Sequence, residues 1–322
     1  MSSSETRPSA SPGRFVVVGG ANVDIKLQAA TALRRGTSTP GAAQISLGGV
    51  ARNIAANLAQ LGASVTLLTA VGDDEFGRRI TREAESCGID SGHVVVGDAP
   101  TGVYGAILDR RGRLVAGVSS MSAIDAITPD EVDRNRDVIS AAHAVVCDCN
   151  LSPASILRVG RVASASGVDL FVEGVSTEKV LGARRLLSSD VELSGMFLNR
   201  DEIEALTGLP ARGRRQLVAA ADELHRLAVT HVAVGLGARG VFVSSGGSHE
   251  IFASMAEGVT DVTGAGDASV AGTVWALGRG DAFFDAVRSG QAAAALTVAS
   301  RETVSPAVSP VAINGLLARI VG

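Results

Sequence analysis

An alternation of short apolar runs with helical segments, repeated along most of the 322 residues, constrains the fold more than any other feature. Phe15–Val18 is wholly apolar and is followed by Gly19-Gly20, which is typical of a strand buried on both faces of a parallel sheet. Further predicted strands are 65–68, 144–149, 169–172, 196–198, 231–234 and 240–244, and predicted helices are 50–61, 76–85, 129–140, 153–166, 179–187, 200–206, 216–227 and 268–277. Such repeated units predict an α/β fold, with a doubly wound, mostly parallel sheet of about eight or nine strands.

The length favours one sizeable domain, for which we expect residues 15–322. Residues 1–14 are rich in Ser, Pro and Ala and lack the apolar stretch of a signal peptide, so they are expected to form a disordered tail. Hydrophobic residues make up 46% of the chain but aromatic residues only 3%, so the core must consist of Ala, Val, Leu and Ile.

One region interrupts the alternation with strand after strand. Residues 93–96, 102–108 and 113–118 are β-like, and Asp109–Gly112 has the composition of a hairpin turn. These residues predict a small antiparallel sheet over about 93–120, with 23–46 contributing. Such a sheet could serve as a lid over a ligand or as a dimer surface.

Composition and spacing exclude several classes of function. A net charge of −4 leaves no basic patch for nucleic acid, and no apolar run reaches the length of a membrane span. Cys87, Cys147 and Cys149 form no disulfide framework, which indicates a reducing compartment, and we expect a cytoplasmic protein. No paired histidines predict a metal site, and no GxSxG motif supplies a nucleophile.

The segment Asp261-Val-Thr-Gly-Ala-Gly-Asp267 combines features of an anion site with a candidate base. Gly264, Ala265 and Gly266 precede a long small-residue segment, so their amides would lie at a helix N-terminus, which favours an anion. Asp267 lies in the first turn, where a carboxylate can remove a proton from a hydroxyl while the amides stabilise a transferred group. The alternative is a glycine-rich turn whose Asp complements the helix dipole.

Polar residues follow the first predicted strand. Asn22 and Asp24 alternate on one face and could hydrogen-bond a polyol, although an Asx turn closing the strand is the alternative. Gly48 and Gly49 would allow close approach of a ligand to the backbone, near Asn53 on the following helix.

Gly235-Leu-Gly-Ala-Arg-Gly240 matches the dinucleotide pattern GxGxxG but is followed by another predicted strand, whereas a dinucleotide fold needs a helix there. A glycine-rich hairpin lying along a nucleotide, or a plain tight turn, fits better.

Asn199 and Glu202 lie three residues apart at a predicted helix start. They could hold the water shell of Mg²⁺ next to a phosphate, or they could form a capping box.

Two of these segments carry a resemblance to a known family. Gly48-Gly-Val-Ala-Arg-Asn53 and Asp261-Val-Thr-Gly-Ala-Gly-Asp267 resemble the N-terminal and C-terminal signatures of the ribokinase (phosphofructokinase-B) family of sugar and nucleoside kinases, and Asn199-x-x-Glu202 is similar to its magnesium motif. The resemblance covers about residues 14–310. It implies a three-layer α/β/α fold with a β lid, and ATP and Mg²⁺ as cofactors. Because an isolated small sheet leaves an apolar face and open edges, we also expect a homodimer formed through the lid.

The resemblance also implies residue roles. Asp267 would be the general base and the Gly264–Gly266 amides the anion hole. Asp261 with Thr263 would form part of a site for a monovalent cation such as K⁺, if this member has one. Sugar-binding residues would be Asn22, Asp24, Gly48, Gly49 and Asn53. Nucleotide-binding residues would be Asn199, Glu202, Gly235, Gly237, Gly240 and Gln291, with Glu202 contacting Mg²⁺ through water.

Within the family the chain is most similar to pseudouridine kinases. The stretches that carry this likeness are 20–25, 46–54, 101–104, 108–109, 121–124, 148–151 and 173–176. It implies phosphorylation of the ribose 5′-hydroxyl of pseudouridine, with Lys179 as a candidate for contacting the base; a solvated lysine is the alternative. Ala51, Gly174 and Leu198 depart from the usual residues. The alternative functions are a kinase for another nucleoside or pentose, such as adenosine, uridine or ribose, and a non-catalytic sugar-binding regulator.

Overall fold

The computed structural model describes residues 13–321, and a large twisted sheet forms its centre. The strands are β1 (Arg14–Val18), β2 (Asn22–Ala29), β3 (Gly41–Gly48), β4 (Ser64–Gly72), β5 (Val94–Gly97), β6 (Gly102–Leu108), β7 (Leu114–Ser120), β8 (Ala144–Asp148), β9 (Asp169–Glu173), β10 (Leu193–Asn199), β11 (Val229–Gly235), β12 (Val241–Ser245) and β13 (Ser248–Phe252). Within residues 13–321, nine of them form the large sheet in the order β13-β12-β11-β10-β9-β8-β1-β4-β5. The pairs are parallel except β11–β12 and β12–β13. The predicted doubly wound α/β fold is confirmed.

Helices cover both faces of this sheet. They are α1 (Val50–Gln60), α2 (Glu75–Ser86), α3 (Pro129–Arg134), α4 (Arg136–Ser140), α5 (Pro153–Ala165), α6 (Arg184–Leu187), α7 (Arg200–Thr207), α8 (Arg214–Arg226), α9 (Ala265–Gly278), α10 (Phe283–Val298) and α11 (Pro310–Val321), with 3₁₀ helices at Ser122–Ala126, Lys179–Ala183 and Gly237–Arg239. Alternate residues of β1 belong to two different cores: Val16 packs on the face covered by α5 and α8, and Val17 on the face covered by α1 and α9. This alternation produces the three α/β/α layers.

The small sheet has the order β3-β2-β6-β7 and forms the lid. It is mixed and not wholly antiparallel, because β2 and β6 run parallel. The predicted lid also included residues 93–96, but β5 pairs with β4 of the large sheet, with Thr69 opposite Val94. The helix α2 that precedes β5 supplies the crossover that such a parallel pair requires. The second lid segment therefore begins at Gly102.

Several elements differ from the sequence expectations. Residues 23–46 were expected to contribute to the small sheet, but no individual strand was predicted there; β3 begins at Gly41 because Asn22–Ala29 offers it a partner strand. The predicted helix 129–140 is divided at Asn135, and 179–187 begins as a 3₁₀ helix. The helices α10 and α11 and the strand β13 were not predicted. Cys147 and Cys149 are buried.

The predicted tail, residues 1–14, lies outside the described residues apart from its last two, and Arg14 already begins β1. None of the helices between residues 13 and 321 combines the length and apolar character needed to cross a bilayer.

Close packing of two small-residue helices places α9 firmly against the sheet. A β-carbon at Gly290 of α10 would lie 2.4 Å from the main-chain oxygen of Ser269, and one at Gly272 of α9 would lie 3.0 Å from the Cα of Gly290. Small residues are therefore required on both helices, and they hold the N-terminus of α9 at the carboxyl edge of the sheet.

Candidate active site

Asp267 lies in the first turn of α9, after a glycine turn that the backbone makes obligatory. The helix begins after Gly264, whose φ is 79°, and a β-carbon there would lie 2.0 Å from the carbonyl oxygen of Thr303. Ala265 and Gly266 follow as the first helical residues, so their N–H groups point out of the helix end. The Ala265 amide makes one long bond, 3.3 Å, to the carbonyl of Val262. An anion at this end would have to displace that bond.

The Asp267 carboxylate is buried and has one close partner. Its Oδ2 accepts a hydrogen bond of 2.8 Å from the Asn53 amide. Burial raises the pKa of Asp267 to about 7; the Asn53 bond opposes this rise, while the nearby carboxylates Asp148 and Asp24 add to it. Asp267 thus combines a nearly neutral pKa with a position beside a helix N-terminus, which suits a general base.

The predicted sugar-binding residues meet at the junction of lid and body. Asn22 and Asp24 are buried residues of β2, joined by a 2.7 Å bond from the Asn22 amide to the Asp24 carboxylate. They lie within a strand, so the Asx-turn alternative does not apply. Burial raises the pKa of Asp24. A β-carbon at Gly48, the partner of Asn22 in β3, would lie 2.5 Å from the Asp24 carboxylate.

Asp148 at the end of β8 supports the loops around this pocket. Its Oδ2 accepts bonds from the amides of Gly20, at 2.8 Å, and Ala51, at 3.0 Å. Gly49 has φ 96°, and a β-carbon there would lie 2.4 Å from the carbonyl of Gly20. The glycine pair thus lets α1 approach the end of β1, and this brings Asn53 to Asp267.

A cavity of about 540 Å³ lies on the other side of the α9 N-terminus. All the residues predicted for the nucleotide line it: Asn199, Glu202, Gly235, Gly237, Gly240 and Gln291. Most of the remaining wall is Ala and Val, and Gly266 lines its inner end. A β-carbon at Gly240 would lie 1.9 Å from the carbonyl of Phe252, so the loop and β13 require glycine there. A large, mainly apolar cavity with a few polar groups suits a nucleotide base and sugar.

Asn199 and Glu202 do form a capping box. The Glu202 carboxylate accepts bonds from the amide of Asn199, at 2.8 Å, and from its side chain, at 2.5 Å. The Glu202 amide donates to Asn199 Oδ1 at 3.0 Å. The same buried carboxylate lines the cavity. Asn199 and Glu202 can therefore cap the helix and also hold a metal-bound water.

Two predicted sites are placed with partners that the sequence did not suggest. Lys179 donates from its ammonium to Asn150 Oδ1, and Asn150 lies against Gly20; neither Lys179 nor Asn150 lines the cavity of about 540 Å³. Asp261 and Thr263 bind the ammonium of Lys26 from β2, at 3.1 and 3.3 Å. The side-chain oxygens assigned to a monovalent cation therefore already hold a cation.

The structure adds residues that motif spacing missed. Glu173 ends β9, lines the cavity with Glu202, and has its pKa raised well above the ordinary value by burial and by the charges of Asp267 and Glu202. Val175 has φ 66°, strained for a β-branched residue, and its amide bonds to Glu173 at 2.8 Å. The sequence feature that could have indicated Glu173 is its position at the end of a parallel strand, where ligand-binding residues of α/β sheets occur.

Comparison with known proteins agrees with this geometry. Residues 13–310 match the model of the pfkB family carbohydrate kinases. The chain is 31% identical to the pseudouridine kinase of Escherichia coli over 91% of its length and 93% of that relative, and 27% identical to the ribokinase of Haemophilus influenzae over 89% and 92%.

Solved structures show the same architecture. The Arabidopsis thaliana ribokinase complexed with ribose and ATP superposes with a TM-score of 0.84 at 25% identity, covering 95% of this chain and 99% of that one. A carbohydrate kinase from Agrobacterium tumefaciens gives a TM-score of 0.82 at 29% identity, with 95% and 97% covered. The family match spans both signatures and the lid, and the chain therefore belongs to the pfkB family of carbohydrate kinases, phosphotransferases that act on an alcohol group.

Proposed function

We propose that this kinase transfers the γ-phosphoryl group of ATP to the ribose 5′-hydroxyl of pseudouridine. The observation that carries the proposal is the placement of Asp267 at the α9 N-terminus, bonded to Asn53 on the sugar side and adjoining the apolar cavity on the other. A hydroxyl next to Asp267 would face a phosphate entering from that cavity. The likeness to the Escherichia coli pseudouridine kinase supports the substrate.

The residues of the site divide the chemistry between them. Asp267 removes the hydroxyl proton, and the amides of Gly264, Ala265 and Gly266 stabilise charge on the transferred phosphoryl oxygens. Asn22, Asp24, Gly48, Gly49 and Asn53 hold the sugar. Gly235, Gly237, Gly240 and Gln291 hold the adenosine.

Asn199 and Glu202 fit a magnesium ion bound through water. Each Glu202 oxygen accepts one bond from Asn199, and a carboxylate oxygen has a second acceptor position that a metal-bound water can use. Mg²⁺ keeps several waters in such sites and would supply neutralisation of phosphate charge.

The base pocket would involve Lys179 and Asn150. Asn150 reaches the small cavity formed with Gly20, Gly102 and Met121 at the end of the sugar site. An amide and an ammonium provide donors and an acceptor for the polar edge of a pyrimidine ring.

A monovalent cation such as K⁺ at Asp261 and Thr263 would share their side-chain oxygens with Lys26 or displace its ammonium. Measuring the K⁺ response of the wild-type enzyme therefore belongs with the substrate assay.

A homodimer through the lid is proposed from the outer face of the small sheet. Asp24 and Lys26 point toward the body, so the alternate residues of each strand form the opposite face. By register that face carries Leu27, Ile45, Ile107 and Val118. All four are exposed, by 41 to 73%. An apolar face across four strands suits a second copy of the same sheet.

A substrate panel tests the function. Purified enzyme with ATP and Mg²⁺ should phosphorylate pseudouridine with a higher kcat/KM than uridine, adenosine or ribose. Faster turnover of another member of the panel would assign the enzyme to that substrate, and nucleoside binding without transfer to any acceptor would favour the regulator alternative.

A further inference from the structure

A buried arginine beside the candidate base is not explained by the roles assigned so far. Arg52, in the first turns of α1, is only 5% exposed. Its guanidinium forms an ion pair with Glu83 of α2, and its Nη1 donates to Asn53 Oδ1 at 2.9 Å and to the Leu47 carbonyl at 3.4 Å. Arginine is rarely so buried unless its charge and donors are paired, so these bonds define its position.

The bond from Arg52 dictates how the Asn53 amide is oriented. A guanidinium only donates, so the oxygen of the amide must face Arg52. The amide nitrogen then faces the other way, where it donates to Asp267 Oδ2 at 2.8 Å. A chain of bonds thus runs from Glu83 through Arg52 and Asn53 to Asp267, across three helices.

We propose that Arg52 is a positioning residue for phosphoryl transfer: it fixes the Asn53 amide so that the amide nitrogen donates to Asp267 and keeps this carboxylate in its acceptor form. The proposal rests on the role of Asp267 as the base. Without the guanidinium the amide could turn over and present its oxygen, which would favour protonated Asp267.

The charges around Asp267 also support a role for Arg52 in keeping Asp267 ionised. Asp148 at the end of β8, Asp24 on β2 and Glu173 at the end of β9 are acidic groups whose charges disfavour an ionised Asp267. Among the described residues that bear on it, Arg52 supplies opposing positive charge and lowers its pKa. A general base must be ionised, so loss of this charge moves the acid limb of the activity profile to higher pH.

The experiment measures kcat/KM for the nucleoside against pH, since this ratio reports groups of the free enzyme. Arg52→Gln should move the acid limb upward by about one pH unit, the lower end of the effect of a neighbouring Arg on a carboxyl. The loss of activity should shrink as the pH rises. Glu83→Gln should shift the limb in the same direction by less. Arg78→Gln, on the exposed side of α2, is the matched control and should not shift it.

One further variant keeps the outcome decisive. Arg52→Lys keeps the positive charge but loses the planar guanidinium with its several donors. It replaces Arg52→Gln in the experiment if that variant does not fold. A loss of activity that is equal at every pH would overturn the proposal.

The pH dependence of the melting temperature, measured without substrates, follows Asp267 independently of the reaction. Arg52→Gln should alter this pH dependence in the wild-type background, but not in a protein that also carries Asp267→Asn. A shift in melting without one in activity would contradict Asp267 as base while leaving the coupling intact.

Discussion

At the scale of single residues, Asp267 is placed at some cost to stability. Its pKa of about 7 exceeds the ordinary value of 3.8, so between these values the folded protein binds a proton that the unfolded chain releases. Stability therefore falls as the pH rises through this window. A buried charge that burdens the fold is expected where function requires it.

Replacing Asp267 by Asn tests both the role of Asp267 as base and its cost to stability. Asparagine cannot take the proton, so kcat should fall on the order of 10²–10⁴-fold while nucleoside binding persists. Asp267→Asn should also melt above the wild type at pH 8, with the difference shrinking toward pH 5. A variant that keeps more than about a tenth of wild-type kcat, on this scale of effects, would show that Asp267 is not the base.

The sequence predicted the site residues that lie in short motifs and missed those that depend on tertiary contact. Asp267, Asn199 and Glu202 occur beside glycines or at helix starts, where spacing indicates chemistry. Arg52 was not predicted, because its partner Glu83 is 31 positions away and the Asn53–Asp267 bond spans 214. Glu173 is acidic at a strand end, yet only the fold shows that the cavity begins there.

At the scale of elements, the start of α7 is a capping box for which we also propose a role in holding Mg²⁺ through water. Glu202→Gln keeps an acceptor for the Asn199 amide but loses the charge. The melting temperature should change little, while the Mg²⁺ concentration needed for half-maximal activity should rise several-fold, since a charged partner of the ion's water is lost. Asn199→Ala, which removes the cap acceptor, is the comparison and should lower the melting temperature. A wild-type Mg²⁺ response in Glu202→Gln would leave the cap as the sole role.

The lid strand β2 is joined to the α9 loop by Lys26. Its ion pair with Asp261 is partly exposed, so it contributes little to stability, about 1 kcal/mol or less. It does connect the strand that carries Asp24 to the loop that carries the proposed anion hole. Lys26→Met should therefore raise KM for the nucleoside several-fold with a small change in melting temperature. Lys26→Arg keeps the charge, so its KM should lie much closer to that of the wild type. If Asp261 and Thr263 also bind K⁺, stimulation by K⁺ should be larger in Lys26→Met; an unchanged KM would make the pair incidental.

Helices with a strong apolar period were predicted correctly, whereas a strand whose order depends on its partner strand was missed. The helices α1, α2 and α5 were placed within about two residues, the usual disagreement at helix ends. No strand was placed at Gly41–Gly48 because Ile45 is its only β-branched residue and it has no aromatic residue; its pairing with β2 supplies the order. The helix α10 was not predicted, and its second half, residues 292–298, is a mainly small apolar run without a helical period.

At the scale of the whole molecule, the lid divides into a polar inner face and an apolar outer face. Val118 is 73% exposed on that outer face, in register with Gly105 of β6, which pairs with Ile25 of β2. If two copies bury this face against each other, Val118→Glu places a charge in the interface, which is costly without a partner. Light scattering should then show half the wild-type mass.

The proposed dimer would also bear on catalysis, because the sheet whose outer face it would cover carries Asp24 on its inner face. A monomeric Val118→Glu variant should have a raised KM for the nucleoside and more ATP hydrolysis without transfer, since a less ordered lid admits water. Val311→Glu is the matched control: Val311 is 83% exposed on α11, so the same change there should leave mass and KM as in the wild type. A wild-type protein that is monomeric at assay concentration would exclude the dimer. A Val118→Glu variant of half mass with unchanged KM and transfer would separate assembly from lid function.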